Sequence, residues 1–303
     1  MIVGVDIGGT KIAAAGFVET RGDLRMVAQP RTVPTPAAAG GAEVVRVVRE
    51  LVAELSAGLD LLAVGVGTAG VVSADGVITS ATDAISGWAG FPLRASLADA
   101  FGPGIHIGVL NDVHAVAIAE AEHGAGVHSD SVLVAAVGTG IGGAVVLAGE
   151  LRRGVTGTAG SLGHVEVAAR DALAARRCPC GGRGHVEAMA SGPAMEQTYL
   201  EQTGERATLR EIDQRAQRGE QNARDVIAEG ARLLGRALAS ANALLDAEVI
   251  VIGGGVAEIG ERYLADVESA YRDASMPGPG RARLIGAHHR VDAAVTGAAL
   301  SVR

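Results

Sequence analysis

The chain has little of what several classes of protein depend on. Aromatic residues make up 2% of its 303 positions. So few rings argue against a surface on which nucleic-acid bases stack. No apolar run approaches the roughly 18 residues of a membrane span. The sequence opens directly on an apolar strand pattern, so we expect no signal peptide, no membrane contact and a cytoplasmic protein.

Basic charge is also scarce. Lys and Arg number 26 against 34 Asp and Glu, and the formal net charge is -8. A nucleic-acid surface would be basic, so we expect no nucleic-acid partner. Glycine, in contrast, is abundant, with 44 residues that cluster at strand ends. Because glycine lets the backbone approach a ligand closely, this pattern suits an enzyme that wraps backbone around phosphates. The length allows two domains with sizeable cores.

The first eleven residues combine a strand with a turn rich in functional groups. Apolar runs at 2–5 and 12–17 predict two strands joined as a β-hairpin. Backbone N–H groups, a hydroxyl and an ammonium suit an anion, and a carboxylate at the strand end suits a hydrated Mg²⁺. These groups belong to Gly8, Gly9, Thr10, Lys11 and Asp6. The alternative is an ordinary Gly-Gly turn with a solvent-exposed Lys.

Strand and helix patterns alternate along the rest of the chain, which predicts an α/β fold. Residues 29–41, rich in Pro, Ala and Thr, predict a loop. Apolar residues at helical spacing predict helices at 43–55, 95–101, 113–123, 186–201, 208–218, 222–245 and 293–300. Apolar runs predict further strands at 61–66, 105–110, 132–137, 144–147, 248–252 and 281–285.

A second strand–turn–strand unit lies midway along the chain. The strand at 132–137 runs into Gly138-Thr139-Gly140 and returns at 144–147. This repeats the N-terminal plan and predicts two related domains that face each other across a cleft. We expect a smaller domain of residues 1–110, closed by the C-terminal helix at about 291–303, and a larger one of residues 111–290. A strand follows the glycines where a Rossmann dinucleotide site needs a helix, so we exclude that site.

Asn111 and Asp112 stand where a predicted strand hands over to a helix, the usual place for functional groups in α/β folds. A carboxylate there can accept the proton of an attacking hydroxyl during phosphoryl transfer, while Asn111 positions the same substrate. The alternative is that Asp112 only caps the helix. Taken alone, the dipeptide favours capping.

Two glycine clusters each follow a predicted buried strand. The cluster at Gly138-Thr139-Gly140 could present N–H groups to distal phosphates, and Gly254 and Gly255 could let an adenosine lie against backbone. Taken alone, each cluster is a weak signal, because glycine clusters more often simply make turns.

The only two cysteines form a Cys178-Pro-Cys180 pair, with His185 and His164 nearby. Cys₂His₂ is a closed tetrahedral zinc set. The alternative is two free thiols, since the short spacing is awkward for a mutual disulfide. We favour a structural zinc, because all four ligands come from the protein.

These motifs, in the order in which they follow one another along the chain, resemble those of the ROK family (repressors, open reading frames and sugar kinases). The overall arrangement resembles that of its bacterial glucokinase-like members. The resemblance implies an actin-like ATPase (ribonuclease H-like) fold of two domains, with a cleft that closes over sugar and ATP·Mg²⁺. It also implies a structural zinc and a homodimer or homotetramer. It covers essentially the whole chain and rests on Asp6-x-Gly-Gly-Thr-Lys11, Asn111-Asp112, Gly138-Thr-Gly-x-Gly-Gly143, Gly163-His164, Cys178-x-Cys-Gly-x-x-Gly184 with Glu187, and Val249-Ile-Val-Ile-Gly-Gly-Gly255.

The resemblance implies roles for individual residues. Asp112 is similar to the general base that deprotonates the sugar hydroxyl, and Asp6 to the carboxylate on the Mg²⁺ side. His164 would place one ring nitrogen on zinc and the other toward a sugar hydroxyl. The implied sugar-binding residues are Asn111, His164 and Glu187, the implied phosphate loops are Gly9-Thr10-Lys11 and Thr139-Gly140, and the implied adenosine wall is Gly254-Gly255.

The chain departs from the family pattern at three positions. Ser161 stands where the ExGH motif has Glu, and Gly90 where glucokinases often have a sugar-contacting Asn. His185 replaces the third cysteine of CxCGxxGC, which zinc accepts readily. Ser161 and Gly90 both replace residues of the family's sugar pocket with smaller ones. We therefore expect them to bind the substrate in a larger pocket than is usual in the family. They favour an amino or N-acetylamino hexose over plain glucose.

The resemblance thus implies an ATP-dependent hexose kinase that phosphorylates a sugar hydroxyl, with O6 expected from the family. Two alternatives remain open. Ser161 keeps alive a sugar-binding protein with weak or no kinase activity. A sugar-responsive transcriptional regulator is also possible in this family, but the chain starts on the first strand and so would lack its own DNA-binding domain.

Overall fold

The computed structural model describes residues 1–169, 171–289 and 292–303, without the side chains of Asp171 and Ala172. The chain forms two compact units. The first comprises Met1–Gly124, Arg153–Ala159 and His289–Arg303, and the second comprises Ala125–Arg152 and Gly160–His288. None of the helices in the described ranges is both long enough and apolar enough to span a bilayer.

The first unit is built on a mixed five-stranded sheet. The strands of the whole unit are β1 (Ile2–Ile7), β2 (Lys11–Thr20), β3 (Asp23–Pro34), β4 (Ala63–Thr68), β5 (Val71–Val72), β6 (Ile78–Ser80) and β7 (His106–Asn111). The sheet order is β3-β2-β1-β4-β7, and β5 pairs only with β6. The first three strands are antiparallel neighbours, whereas β1, β4 and β7 run parallel. The carboxyl ends of these three parallel strands therefore lie at one edge.

Four helices cover this sheet: α1 (Gly41–Leu55), α2 (Leu93–Phe101), α3 (Asp112–His123) and, at the C-terminus, α10 (Ala293–Leu300). The predicted apolar face of α1 is buried, including Val44, Val48 and Leu51. The C-terminal helix packs on the sheet without intervening side chains. A Cβ on Gly4 would lie 1.9 Å from the Val295 carbonyl oxygen, and one on Gly65 1.8 Å from that of Ala298. Only glycine permits this separation of helix and strand.

The first unit extends beyond the residue-110 boundary expected from the sequence. Helix α3 belongs to it because α3 and α10 pack together so closely that a Cβ on Gly297 would lie 1.7 Å from the Ala115 carbonyl oxygen. The segment Arg153–Ala159 also belongs to this unit. Arg153 donates from Nη1 to the Val109 carbonyl oxygen at 3.5 Å.

The second unit repeats the plan of the first. Its strands are β8 (Ser131–Val137), β9 (Ile141–Leu147), β10 (Glu150–Leu151), β11 (Val249–Gly253) and β12 (Arg283–Gly286), in the order β10-β9-β8-β11-β12. As in the first sheet, an antiparallel hairpin (β8 and β9) is followed by parallel neighbours (β8, β11 and β12). The internal repeat predicted from the two glycine-rich hairpins is confirmed.

The helices of the second unit are α4 (Asp171–Ala174), α5 (Glu187–Ala190), α6 (Gly192–Thr203), α7 (Leu209–Gln217), α8 (Gln221–Leu245) and α9 (Glu261–Ala274). They enclose a core in which Tyr199, Tyr263 and Tyr271 are fully buried. Helices α8 and α9 pack tightly at Gly235, where a Cβ would lie 2.6 Å from the Val267 carbonyl oxygen.

The predicted loop at 29–41 is wrong in its first half, because β3 continues to Pro34. This strand lies at the sheet edge and most of its residues are exposed, so it carries polar residues and prolines rather than an apolar run. An edge position tolerates proline, which has no N–H to donate. Its pairing with β2 is irregular between Ala14 and Phe17.

The single helix predicted at 186–201 is two helices, α5 and α6. Ser191 between them has an extended backbone, with φ -71° and ψ 163°. Pro193 lies in the first turn of α6, where its missing N–H costs nothing, whereas in a continuous helix its ring would clash with the preceding turn. The break places Glu187 at the start of its own short helix.

Candidate active site

Asn111 ends β7 and Asp112 begins α3, as the sequence predicted. The Asn111 amide donates to the Gly70 carbonyl oxygen at 3.0 Å and to Asp112 Oδ1 at 2.8 Å. Asp112 Oδ1 also accepts the Val113 N–H at 2.9 Å. Both hydrogen bonds use the same oxygen, and Oδ2 accepts none among the described residues. One oxygen of Asp112 is thus held in place while the other can take a proton.

The helix cap is Asn111 rather than Asp112. Asn111 Oδ1 accepts the N–H groups of Val113 and His114 at 3.0 and 3.3 Å. The capping role considered for Asp112 therefore falls to its neighbour. Burial raises the pKa of Asp112, and the hydrogen bonds from Val113 and Asn111 oppose the rise. A carboxylate with a raised pKa at a strand–helix junction is suited to general base catalysis.

Asp6 lies on the same edge of the first sheet. It pairs with Gly67 of β4, next to the strand that leads into Asp112. Burial and the negative charge of Asp112 raise the pKa of Asp6 to about 7, against a smaller opposing effect of Lys11. Gly67 between the two carboxyl groups has no side chain, and a Cβ there would lie 3.7 Å from Asp112 Cα. A second carboxylate therefore faces the candidate base.

The first glycine turn is braced by β3. Gly8 donates its N–H to the Lys11 carbonyl oxygen at 3.0 Å, and Thr35 holds the turn from outside. The Thr35 hydroxyl donates to the Gly8 carbonyl oxygen at 2.6 Å. The backbone N–H of Thr35 donates to the Thr10 carbonyl oxygen at 3.0 Å. Thr10 and Lys11 are exposed. The predicted hairpin is confirmed, and its hydroxyl and ammonium groups are accessible to a ligand.

The second glycine turn, Gly138–Gly140, joins β8 to β9 in the equivalent way. Gly138 donates to the Gly140 carbonyl oxygen at 2.8 Å, and Gly138 in turn accepts the Gly192 N–H at 2.9 Å. The adjacent Gly254 has φ +88°, and a Cβ there would lie 2.4 Å from the Val137 carbonyl oxygen. Gly254 is therefore in close backbone contact with Val137, the residue that leads into the second glycine turn.

Glu187 contacts this second turn. Its Oε2 accepts the Ile141 N–H at 2.9 Å, across 46 residues of sequence. A Cβ on Gly140 would lie 2.5 Å from the same oxygen. The other oxygen, Oε1, lies 3.6 Å from Cys178 Sγ. The structure thus joins the Cys/His region to the glycine turn through one carboxylate, a contact that the sequence did not predict.

The predicted metal ligands converge. One ligand atom each from His164, Cys178, Cys180 and His185 lies within 4.8 Å of every other. His164 Nδ1 is 3.6 Å from Cys178 Sγ, and His185 Nδ1 is 3.2 Å from Cys180 Sγ. A tight turn folds the cysteines together, with the Cys178 N–H donating to the Gly182 carbonyl oxygen at 2.9 Å.

This donor set fits zinc. With bonds of about 2.0–2.1 Å to nitrogen and about 2.3 Å to sulfur, tetrahedral ligands lie between about 3 and 4 Å apart, as the two closest pairs do here. Burial raises the pKa of the Cys178 thiol to about 12, and a bound metal cation would offset that by favouring the thiolate. With His164 Nδ1 toward the cysteines, its Nε2 is the nitrogen left for another partner.

Ser161 contacts this region through its backbone, because its carbonyl oxygen accepts the His164 N–H at 3.0 Å. Ser161 is exposed and precedes the 3₁₀ turn Leu162–His164. Gly90 is exposed with φ +85°, in the loop where Trp88 stacks on Phe91 at 5.4 Å between ring centroids. Asparagine, the residue usual in glucokinases, also tolerates this left-handed conformation. The loop backbone is thus compatible with either residue.

Each unit therefore gathers its own part of the predicted set. The first unit brings Asp6, Asn111 and Asp112 to one sheet edge, next to the turn at Gly8–Lys11. The second brings the glycine turns, Glu187 and the Cys/His cluster together. Sequence reasoning missed Thr35 and Ile141, whose contributions are a brace and a backbone N–H. Neither carries a motif that could have revealed it.

Comparison with known proteins identifies the family of the chain. The sequence model of the ROK family matches residues 2–303. The N-acetylmannosamine kinase of Escherichia coli O6:K15:H31 (strain 536 / UPEC) is 34% identical over 297 residues, which cover 98% of this chain and 96% of that protein.

Two solved structures are also similar over nearly their full length. The ROK hexokinase from Thermus thermophilus has a TM-score of 0.86 and 34% identity, covering 99% of this chain and 97% of that one. A ROK family glucokinase from Streptomyces griseus, solved with glucose and AMPPNP, has a TM-score of 0.79 and 31% identity, covering 100% and 99%. The expected actin-like ATPase fold is confirmed. The chain belongs to the ROK family.

Proposed function

We propose that the protein is an ATP-dependent hexose kinase that transfers the γ-phosphoryl group of ATP to a sugar hydroxyl, with O6 as the acceptor. The observation that carries the proposal is the state of Asp112. One of its oxygens is fixed by Asn111 and Val113, the other accepts no hydrogen bond among the described residues, and burial raises its pKa. Similarity to named sugar kinases over nearly the whole chain supports the same activity.

Asp112 acts as the general base in this proposal. Its Oδ2 accepts the proton of the sugar hydroxyl as the hydroxyl oxygen attacks the γ-phosphorus. The bond between the γ-phosphorus and the oxygen that bridges to the β-phosphate breaks. ADP leaves, and the sugar carries the phosphoryl group. Positioning and charge stabilisation account for most of the catalysis of phosphoryl transfer. Asn111 orients both the base and the sugar.

We assign the glycine turn of each unit to phosphate binding. In the first unit, Gly9, Thr10 and Lys11 supply backbone N–H groups, a hydroxyl and an ammonium, and Gly8 closes the turn by donating its own N–H to the Lys11 carbonyl oxygen. In the second unit, Thr139 and Gly140 supply backbone N–H groups, and Gly138 closes the turn by donating its own N–H to the Gly140 carbonyl oxygen. The adenosine lies against Gly254 and Gly255. Asp6 is the carboxylate that would hold the Mg²⁺ of Mg·ATP, and the ion would supply charge neutralisation for the phosphates. These assignments follow from strand-end position and group chemistry.

The sugar is an N-acetylamino or amino hexose. Asn111, His164 and Glu187 bind its hydroxyl groups. Ser161, shorter and uncharged where the family has Glu, and Gly90, without a side chain, leave room for a substituent on the ring. Similarity to proteins named N-acetylmannosamine kinase supports this substrate class.

A structural zinc ion would hold the loop that carries Glu187. His164, Cys178, Cys180 and His185 would supply its four ligands, and the metal would contribute folding energy rather than chemistry. We further propose that the protein works in the cytoplasm and that it forms a homodimer or homotetramer. Gel filtration with light scattering tests the oligomeric state.

The proposal is tested by ADP formation from Mg·ATP with glucose, mannose, glucosamine, N-acetylglucosamine and N-acetylmannosamine. The expected result is turnover that depends on the sugar and is fastest with an amino or N-acetylamino hexose. Faster turnover of glucose than of every amino sugar would refute the substrate class. Ser161 favours one second candidate, a sugar-binding protein without kinase activity, which sugar binding without ADP formation would identify.

A further inference from the structure

The side chain of Glu187 lies between the Cys/His cluster and the second glycine turn. Oε2 accepts the Ile141 N–H at 2.9 Å, and Oε1 lies 3.6 Å from Cys178 Sγ. A carboxylate oxygen has two acceptor sites, so both contacts leave Glu187 able to bind a further donor such as a sugar hydroxyl. Its role in sugar binding does not explain why it is bonded to the turn.

The same short segment holds the turn at its other end. Gly192, which follows α5, donates its N–H to the Gly138 carbonyl oxygen at 2.9 Å. Glu187 accepts a hydrogen bond from the peptide that leads out of the turn, between Gly140 and Ile141, and Gly192 donates to the first peptide within the turn, between Gly138 and Thr139. The segment 187–192 therefore determines how the peptide planes of Gly138–Gly140 are oriented.

Close packing leaves this region little freedom to adjust. A Cβ on Gly163 would lie 2.0 Å from the Ile141 carbonyl oxygen and 3.3 Å from Glu187 Cβ. A Cβ on Gly140 would lie 2.5 Å from Glu187 Oε2. The 3₁₀ turn that carries His164, the glycine turn and the Glu187 side chain are thus in mutual contact. A shift of the metal ligands would move the carboxylate, and with it the turn.

We infer that Glu187 is a positioning residue for the nucleotide, through which the Cys/His cluster sets the geometry of the phosphate-binding turn. The inference rests on the proposed function, because it assigns the turn at Gly138–Gly140 to phosphate. Backbone N–H groups bind phosphate only when they point at it together. The hydrogen bond from Ile141 to a charged acceptor fixes that direction. The metal site therefore supports binding of ATP as well as of the sugar.

The test is calorimetric binding of Mg·AMPPNP without sugar, so that contacts to the sugar do not contribute. The zinc-loaded wild type is compared with Glu187→Ala, Glu187→Gln and Glu166→Ala, an exposed carboxylate of the same loop region. We expect Glu187→Ala to weaken binding by about tenfold, the size of one lost hydrogen bond to a charged group. Glu187→Gln, whose amide oxygen can still accept the Ile141 N–H, should recover most of that loss, and Glu166→Ala should bind as the wild type does.

A second arm removes the metal with EDTA, which is dialysed away before Mg²⁺ and AMPPNP are added. Stripping should weaken AMPPNP binding to the wild type but add little to the loss in Glu187→Ala, because both act through one carboxylate. Amide hydrogen exchange should show a faster Ile141 N–H in the stripped wild type and in Glu187→Ala. This readout does not depend on activity.

The outcomes separate the inference from the function on which it rests. Unchanged AMPPNP affinity in Glu187→Ala, or an equal loss on stripping in wild type and variant, would overturn the inference while leaving the kinase intact. A zinc-loaded wild type that binds no AMPPNP would overturn both.

Discussion

The carboxyl groups of Asp6 and Asp112 are electrostatically coupled across the edge of the first sheet. Burial, together with the charge of Asp112, raises the pKa of Asp6 to about 7. Gly67 lies between the two in the strand order and has no side chain to separate them. Two half-buried acidic groups at one edge hold a proton to higher pH than free carboxyl groups do, unless a cation neutralises them. This is the electrostatic setting that a Mg·ATP substrate would relieve.

Protonation of Asp6 should therefore compete with Mg²⁺. We expect the affinity for Mg·AMPPNP to rise with pH through about 7 in the wild type. Asp6→Asn, which cannot lose a proton, should bind more weakly and without this inflection. Calorimetric titrations at pH 5.5 to 8.5 measure both. An identical pH dependence in the two proteins would show that another group is responsible.

The same pKa shift makes a prediction for stability. The folded state raises the pKa of Asp6 from its unfolded value near 3.8 to about 7. The stability that protonated Asp6 contributes to the folded state is therefore fully present below pH 3.8 and is lost as the pH rises through about 7. Between pH 5 and 8, the free energy of unfolding of the wild type should fall by about 1–3 kcal/mol more than that of Asp6→Asn. This range takes about 1.36 kcal/mol for each pKa unit and is reduced because Asp6 is partly exposed. Urea denaturation without nucleotide at both pH values tests this.

Ser161 should control the ranking of sugars. Ser161→Glu restores a carboxylate that accepts hydrogen bonds from sugar hydroxyls and fills space. We expect the ratio of kcat/KM for glucose to kcat/KM for the best amino sugar to rise by about tenfold, the effect of one charged hydrogen bond. Thr156→Glu adds the same charge at another exposed position and should leave the ratio unchanged. If Ser161→Glu also leaves the order of substrates as it was, the argument from pocket size fails.

Metal binding should account for the effect of changing Cys180. Its side chain is exposed, and an exposed substitution without a special role shifts stability by less than about 0.5 kcal/mol. Cys180→Ser should lose bound zinc and lower the melting temperature by several degrees. The loss should disappear when wild type and variant are compared in EDTA, since both then lack the metal. A wild type that copurifies with no stoichiometric metal would contradict this.

Gly297 should be intolerant of any side chain. A Cβ there would lie 1.7 Å from the Ala115 carbonyl oxygen, at the contact of α10 with α3. Overpacking of this kind costs about 1–3 kcal/mol or more, so Gly297→Ala should lower the urea midpoint. Gly278→Ala is the matched control, because its Cβ would meet no heavy atom within 4 Å and its φ is -72°. A small effect of both changes would mean that the helices separate easily.

The features that the sequence predicted are local ones. Both hairpins follow from two apolar runs around a glycine turn, and α1 and α8 follow from apolar residues at helical spacing. Each of these signals lies within about 20 residues and depends on burial of one face. The position of Asn111 and Asp112 at a strand–helix junction was predicted for the same reason. The Cys/His convergence was predicted because four residues of suitable chemistry lie close in sequence.

What the sequence did not predict depends on partners far along the chain. Strand β3 forms because β2 offers an edge, not because its own residues alternate clearly. The bond between Glu187 and Ile141 joins residues 46 positions apart, and its acceptor is a side chain while its donor is backbone. Membership of α3 in the first unit is set by its packing on α10, which comes from the other end of the chain.

The most direct test of the account is Asp112→Asn, measured for both turnover and sugar binding. The amide keeps the size of the side chain and an oxygen that can accept the Val113 N–H, but it cannot take a proton. The account predicts a fall in kcat of about 100- to 10,000-fold, the range for loss of a general base, with the dissociation constant of the sugar changed by less than about threefold. A kcat within tenfold of the wild type would contradict the assignment of Asp112 as the base.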